Sequence, residues 1–560
     1  MPTSASTDTH ALPPRAQGRY DAVVVGSGFG GAVAALRLAQ RGFRVAVLER
    51  GRLWGREDFP RPGAPRDRWW WSENTHGLFE IVRSRRLSLL TASGVGGGSL
   101  IYTNIQMRAP EETFATGSPH PEASGQGWPA GFTRAALDPY YDRVFAMLTP
   151  SPLPEPLPKT SRLREAAQRL GLEGRFSLPD LAIYWGEPGA PRPSERGEQI
   201  INRFGASQSA CIGCGLCMFG CHVHAKNTLD LNYLKLAAQH GAQIFPLHEV
   251  ETFEPVGRGY LVRFRHHVHP TGVDSIAAVR VLVLAAGTLG TNRILLRAKH
   301  FYRTLPNLSP RLGYGFSDNG DFFGALLGAG DVQPALGPTL TAMLDFHHDA
   351  GFTLFEGGVP DFLAPRLNHW LTPLLAFWRL RARMRSWFGG TGVSPVAAPG
   401  SQSKRSEDPA SFAGPARLSR AQSRGAFDSL LPLLMMGLDA ANGRLVVDPK
   451  GELQILWEHT QSAALFRRMT HQIRDLGRAL GAWGVESPAW RFRRRLFGVH
   501  PLGGCALAAS PEHGVVNEAG EVFGYPNLYI ADGSIVPTAL GVPPSMTIAA
   551  LAEHILEGIV

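Results

Sequence analysis

A chain of 560 residues, 44% apolar and 18% charged, is long enough for more than one packed core and has neither a disordered nor a fibrous composition. No run approaches the ~18 uncharged apolar residues of a spanning helix. The N-terminal MPTSASTDTHALPPRAQGRYD has no apolar signal core and no twin arginines, so cytoplasmic residence is the expectation. The net charge of +9 suits an anionic surface, but no nucleic-acid-binding signature accompanies it, and no nucleic-acid partner is expected.

In chain order, residues 1–17 are polar and proline-rich and are expected to be disordered. Residues 20–25 form a short Val-rich run that reads as a buried parallel strand. Residues 32–40 have helical apolar spacing and 44–48 read as a second strand, giving a β-α-β unit. Gly26-Ser27-Gly28-Phe29-Gly30-Gly31 joins the first strand to the helix. Gly26 permits the tight turn, Gly28 lets the backbone approach a pyrophosphate, and Gly31 allows close helix–strand contact. The phosphates then meet the helix N-terminus. Glu49 ends the second strand eighteen residues after Gly31, where a carboxylate can hold an adenosine ribose. These features predict a dinucleotide but do not separate NAD from FAD. The loop Gly94-Val95-Gly96-Gly97-Gly98-Ser99 leaves backbone bare of side chains, so a large flat ligand could lie on it.

Further along, residues 139–148 and 229–238 read as helices. Between them, Cys211, Cys214, Cys217 and Cys221 have the spacing of a bacterial ferredoxin run. Two readings stay open: ligands of an iron–sulfur cluster, or a tight cysteine-rich turn beside the nucleotide domain. Zinc is less apt, because its cysteine pairs are normally separated by a longer loop. Crowding of four of the five cysteines argues against a disulfide framework, and Cys505 reads as a small buried residue. Residues 279–285 form another buried strand, leading into AAGTLGTNRILLRA. Residues 367–385 look helical, with Trp370, Phe377 and Trp378 among Arg379, Arg381, Arg383 and Arg385 and no acid. A linker composition covers 389–425, a strand is expected from Leu430, and a terminal helix spans Ser545–Gly558.

The last 61 residues hold HPLGGC (500–505), NLYIADGSIVP (527–537) and GVPPSMTIAALAE (541–553). With LERGRLW, GVGGGSL and AAGTLGTNRILL, in this order, they resemble the glucose–methanol–choline flavoenzymes, above all their cholesterol-oxidase-like subgroup. The resemblance implies an α/β fold: a Rossmann-like FAD-binding domain (18–135, 205–305 and 496–560) with an inserted α+β substrate-binding cap on an antiparallel sheet (136–204, 306–385 and 428–495). Residues 386–427 would be a linker or loop. It carries Gly26, Gly28, Gly31 and Glu49 to the ADP half of FAD and Gly96, Gly98 and Ser99 to the flavin half. Val250 would lie near the adenine, Asp532 and Gly533 near the ribityl chain, and Met546 beside the flavin at the start of the terminal helix. The positive end of that helix would stabilise an anionic reduced flavin.

The implied activity is oxidation of the hydroxyl of a bulky apolar alcohol, a sterol or long-chain alcohol. His500 is the expected base, since a weakly acidic O–H needs a positioned acceptor with a pKa near operating pH. Glu356, in LFEGGVP, is a candidate second base. Electrons would pass to oxygen or, if the cysteine run binds an iron–sulfur cluster, through it to another acceptor; a non-redox FAD lyase or photodecarboxylase is a further alternative. Two positions depart from the family pattern: Pro543 stands where a polar residue is usual, and Tyr102 where Asn is common. The aromatic and arginine-rich segment 366–388 makes peripheral membrane contact a further expectation.

Overall fold

The computed structural model describes residues 15–114, 127–186, 199–268, 272–387 and 425–559. The strand Arg19–Val25 and the strand Val45–Leu48 run parallel around the helix Phe29–Gln40. That helix starts three residues ahead of the expected 32 because its first turn is built on glycines. A Cβ on Gly30 would stand 1.4 Å from Ala531 O, and one on Gly31 2.1 Å from Gly26 O. Only bare backbone can come so close.

The β-α-β unit belongs to a seven-stranded sheet, in the order Gln243–Phe245, Val45–Leu48, Arg19–Val25, Val273–Leu284, Gly259–His266, His248–Val256. Leu528–Ile530 pairs in parallel with the C-terminal end of Val273–Leu284. This twelve-residue strand is longer than the expected 279–285. Its first half pairs antiparallel with Gly259–His266 and its second half parallel with Arg19–Val25. The helix Ser545–Gly558 packs against Phe29–Gln40 and has the expected bounds.

A second, six-stranded antiparallel sheet has the order Trp483–Glu486, Phe322–Leu327, Leu430–Gly437, Phe352–Glu356, Met343–Phe346, Phe176–Ser177. The helix Ala463–Ala479 covers part of it, burying Leu465, Phe466, Met469, Ile473 and Leu476. These positions recur at three- and four-residue steps, as an amphipathic helix requires.

Several details differ from the sequence reading. The helix expected at 139–148 spans Arg134–Leu148, because Thr133 caps it by accepting the Ala136 N–H at 3.1 Å, and Pro139 lies inside it. The expected 229–238 helix is divided into a single turn, Leu229–Leu231, and the helix Tyr233–Gln239. Residues 15–17 have no regular structure, but Ala16 is buried and its N–H donates to His248 Nε2; residues 1–14 lie outside the described residues. Most of the expected linker, 388–424, also lies outside them, while Phe427 is buried and its N–H donates to Asn368. The helix Ala364–Trp387 buries Ala364, Leu371 and Leu375 and exposes Trp370, Leu374, Phe377 and Leu380. The side chains of Arg379, Arg381, Arg383 and Arg385 lie outside the described residues. Among the described residues no helix is long and apolar enough to cross a membrane.

Candidate active site

A cavity of ≈ 770 Å³ lies where the two sheets meet. Gly26, Gly28, Glu49, Asp532 and Gly533 line it from the first sheet's loops and Val250 from its strand His248–Val256; Phe323, Leu433 and Leu434 line it from the second. The first six were expected along the FAD, and all six line this cavity.

At the glycine end, nothing lies within 4 Å of where a Gly28 Cβ would be, whereas a Cβ on Gly97 would stand 2.7 Å from Gly28 Cα. The glycine loop therefore lies against the first turn and leaves an open cradle at the N-terminus of Phe29–Gln40. Glu49 ties the two loops together. Its Oε2 accepts from Ser27 N (3.1 Å) and Ser27 Oγ (2.6 Å), its Oε1 accepts from Gly51 N, and Ser27 Oγ in turn accepts from Gly96 N. Burial pushes the Glu49 carboxyl up, against the pull of these donors. Gly98 lines the cavity, but Gly31, Gly96 and Ser99 stand behind the wall. Ser99 Oγ donates to Gly96 O and accepts from Leu229 N, so its work is to hold the loop.

Asp532 lies farther along. Its Oδ1 accepts from Ser534 N and Oγ, its Oδ2 from Thr291 Oγ1 at 2.5 Å, and burial raises its carboxyl. The terminal helix begins on the wall, with Pro543, Pro544, Ser545 and Ile548 lining it; Met546 is buried away from it. An open glycine cradle at one helix N-terminus and a second helix N-terminus farther along the wall suit the pyrophosphate and the flavin ring of FAD.

His500 follows the strand Leu496–Gly498 and lines the same cavity. Its Nδ1 is 2.8 Å from Asp321 Oδ1 and 3.1 Å from Oδ2, while Asp321 Oδ2 also accepts from Val499 N at 2.7 Å. A carboxylate only accepts, so Nδ1 carries the hydrogen and Nε2 keeps a free lone pair. Sequence reasoning missed Asp321. It closes the turn Asp318-Asn319-Gly320-Asp321, which reads as an ordinary polar turn, although all three of its non-glycine residues are fully buried. Asn319, at φ 55°, donates to Val542 O and accepts from Leu540 N and Gly541 N. One turn thus anchors both His500 and the loop that carries Pro543. Asp318 has no hydrogen-bond partner at either oxygen, and burial, with Asp321 and Asp439 beside it, raises its carboxyl far above the ordinary range.

Glu356 lies off the wall. It pairs with fully buried Lys159 at 3.3 Å, accepts from Thr341 Oγ1 and lies 3.4 Å from Thr160 Oγ1. Burial raises its carboxyl and lowers the Lys159 ammonium. These are the bonds of an internal ion pair rather than of a base facing substrate. The residues that follow it, Gly357 to Pro360, reach the cavity instead.

The cysteine run lies beside the cavity, with Met218 and Phe219 on the wall. Lys226 Nζ donates to Cys217 O, Leu100 O and Tyr102 O, joining the run to the glycine loop. Burial pushes the Cys214 thiol up to about 12 and raises Cys211 and Cys221, and neighbouring thiols add to each shift. Among the described residues no three His, Cys, Asp or Glu side chains gather so as to hold a metal ion. The iron–sulfur expectation therefore has no support among the described residues.

A glycine cradle fit for FAD, opening on an apolar chamber whose wall carries a carboxylate-oriented histidine, is the arrangement of an FAD-dependent oxidoreductase. Profile matches agree: residues 24–56 match the NAD(P)-binding Rossmann-like domain, and residues 201–299 and 448–552 match GMC oxidoreductase. The chain is 30% identical over 574 residues to the cholesterol oxidase of Mycobacterium tuberculosis, covering 96% of this chain and 90% of that one. It is 28% identical to the cholesterol oxidase of Acinetobacter baumannii, covering 96% and 94%. Among solved structures, pyridoxine 4-oxidase from Mesorbium loti shares the fold, with a TM-score of 0.58 at 16% identity over 96% and 98% of the two chains. The chain belongs to the GMC oxidoreductase family and, as a member of it, acts on CH–OH donors.

Proposed function

We propose that the protein oxidises the hydroxyl of a bulky apolar alcohol, a sterol or long-chain alcohol, and passes the electrons to oxygen. The observation that carries this reading is His500, fixed by Asp321 with Nε2 bare on the wall of a cavity whose other side is built from Phe323, Leu340, Leu433 and Leu434. FAD bound along the glycine wall supplies the acceptor for the hydride that leaves the carbinol carbon. His500 Nε2 takes the hydroxyl proton, and Asp321 holds the imidazolium that results. Pro543 gives that hydroxyl no donor, so His500 is the polar partner on its side of the cavity. Similarity to two cholesterol oxidases supports a sterol-sized substrate.

The test is anaerobic titration of the purified protein with cholesterol and with long-chain primary alcohols, followed as bleaching of the flavin absorbance, then admission of oxygen with assay of hydrogen peroxide. Failure of every alcohol to bleach the flavin overturns the reading; bleaching without peroxide overturns oxygen as acceptor. Membrane contact is part of the same proposal. What supports it is the row Trp370, Leu374, Phe377 and Leu380, exposed on a helix that starts next to the cavity-wall residue Leu363. Co-sedimentation with anionic vesicles, compared between wild type and Trp370→Ser/Phe377→Ser, tests it; equal binding by both removes this helix from the contact.

A further inference from the structure

Two polar side chains on the cavity wall have no hydrogen-bond partner in the protein. Both amide atoms of Asn104, which is 0% exposed, lack one, and so does Oγ1 of Thr339, which is 4% exposed. Asn104 also adopts φ 72°, a left-handed conformation that a residue with a side chain holds only under constraint from its surroundings. Buried polar groups in folded proteins are nearly always paired, so two orphans on one cavity wall mark a place built for a ligand.

The two adjoin one apolar cluster beside the cavity. Their chain neighbours Ile105 and Leu340 also line the cavity, and both belong to that cluster with Leu181, Met343, Phe355 and Leu434. Asn104 O accepts from Ala182 N, beyond the edge strand Phe176–Ser177, and Gly358 packs against Thr339. His500 stands at the other side of the sheet, held by Asp321 at the start of Phe322–Leu327. From Phe323 the pairing runs to Leu434, then Phe355, then Met343. Thr339 packs on Gly358, just beyond the strand Phe352–Glu356, so two strand spacings, about 10 Å, separate its row from the row at His500. The wall residues next to the two orphans in the chain (Tyr102, Thr103, Ile105 and Leu340) are uncharged, and behind the wall Lys159 is balanced by Glu356.

We propose that Asn104 and Thr339 form a second polar subsite, remote from His500, for a neutral oxygen function at the far end of the substrate. An amide and a hydroxyl together offer donors and acceptors but no charge, which suits a hydroxyl or keto group and not a carboxylate. Among apolar alcohols, those with a second oxygen function across the skeleton are then preferred over those ending in a plain hydrocarbon. This inference rests on the alcohol-oxidation reading and adds the substrate class to it.

The test compares alcohols on one rigid skeleton, with and without a distal hydroxyl or keto group, by kcat/KM for anaerobic flavin reduction. Dissociation constants of the matching non-oxidisable ketones are read from perturbation of the flavin spectrum. Wild type is expected to favour the distal-oxygen compounds roughly ten- to a hundredfold in both measurements, the usual consequence of pairing or stranding buried polar groups. In Thr339→Val and in Asn104→Gly that preference falls roughly tenfold each. Because Thr339→Val removes an unpaired hydroxyl without changing shape, its urea midpoint is expected to equal or exceed that of wild type. Equal preference in wild type and both variants overturns the subsite, as does a clear loss of stability in Thr339→Val, which would mean that the hydroxyl has a structural partner. If neither class of alcohol reduces the flavin, the oxidation reading falls; if both do so with equal efficiency in wild type, only the subsite falls.

Discussion

Replacing Asp321 with Asn tests the link between the buried turn and the base while leaving shape and volume almost unchanged. The carboxylate accepts two hydrogens, from His500 Nδ1 and from Val499 N at 2.7 Å. An asparagine offers one acceptor oxygen and one NH2 group, so it satisfies only one of the two. If its oxygen faces Val499, its NH2 faces Nδ1, which must then accept, and the imidazole hydrogen moves to Nε2, where no lone pair is left for the alcohol proton. If its oxygen faces His500, the tautomer survives but the buried Val499 N–H meets a donor. Losing a charged hydrogen bond costs about 1.5–3 kcal/mol, or roughly ten- to a hundredfold in rate. The whole base contribution, about 10²–10⁴, sets the ceiling. The assay is stopped-flow flavin reduction by alcohol without oxygen. Asp321→Asn is expected to slow that step while retaining flavin, and to add little in the double variant with His500→Ala, because the two residues act as one unit. An unchanged rate in Asp321→Asn, or full additivity in the double variant, refutes the reasoning.

Three further outcomes are expected. His500→Ala should keep its flavin and slow reduction by about 10²–10⁴, measured in the same stopped-flow assay. Gly28→Val should fold, since Gly28 has φ −68° and nothing lies within 4 Å of a Cβ there, yet its side chain fills the phosphate cradle. A purified protein with a wild-type unfolding midpoint and little flavin absorbance is the expected result, and full flavin content counts against the cradle. Asp318→Asn should be increasingly stabilising as pH rises. The folded carboxyl stays protonated well above the ordinary 3.8, whereas the unfolded one ionises near that value. The wild type therefore loses stability as pH climbs from about 4 toward the folded pKa, and the variant does not. Urea midpoints of both proteins between pH 4 and 8 check this, and a difference that shrinks with rising pH contradicts it.

The fold was legible where local signals agree. The Val-rich strand, the glycines and the spacing of 32–40 each point to one β-α-β unit, and the structure departs from it only in the glycine-built first turn. The antiparallel sheet was legible only through family likeness. Its strands come from six separated segments, and nothing local in Phe176–Ser177 or Trp483–Glu486 names a partner more than 150 residues away. At Arg134–Leu148 two signals competed. Pro139 suggested a start, but the Thr133 cap fixes the helix earlier, and the missing Pro139 N–H costs one internal bond. The candidate site divides in the same way. Glycines, Glu49, Asp532 and His500 are carried by contiguous motifs, whereas Asp321 and Asn104 acquire their significance only from what folding sets beside them. Glu356 had a suggestive neighbourhood in sequence, yet strand alternation turns it toward Lys159 and Thr341 and away from the cavity.

The position of Asp321 ties chemistry on the flavin side to the integrity of the inserted sheet. It is the residue before Phe322–Leu327, and that strand pairs with Leu430–Gly437 on one side and Trp483–Glu486 on the other. A one-residue slip would turn Phe323 and Ala325 to the opposite face and carry Asp321 away from Nδ1. The same turn fixes Leu540, Gly541 and Val542 through Asn319, so a slip would also release the approach to the terminal helix. Base and helix N-terminus are held by one buried turn made of two acids, an amide and a glycine. Asp439 helps to close that turn, accepting from Asp318 N and Gly320 N. A turn so constrained is poorly suited to stability and well suited to keeping the base in place, and Asp318, raised and unpaired, is where that cost is concentrated.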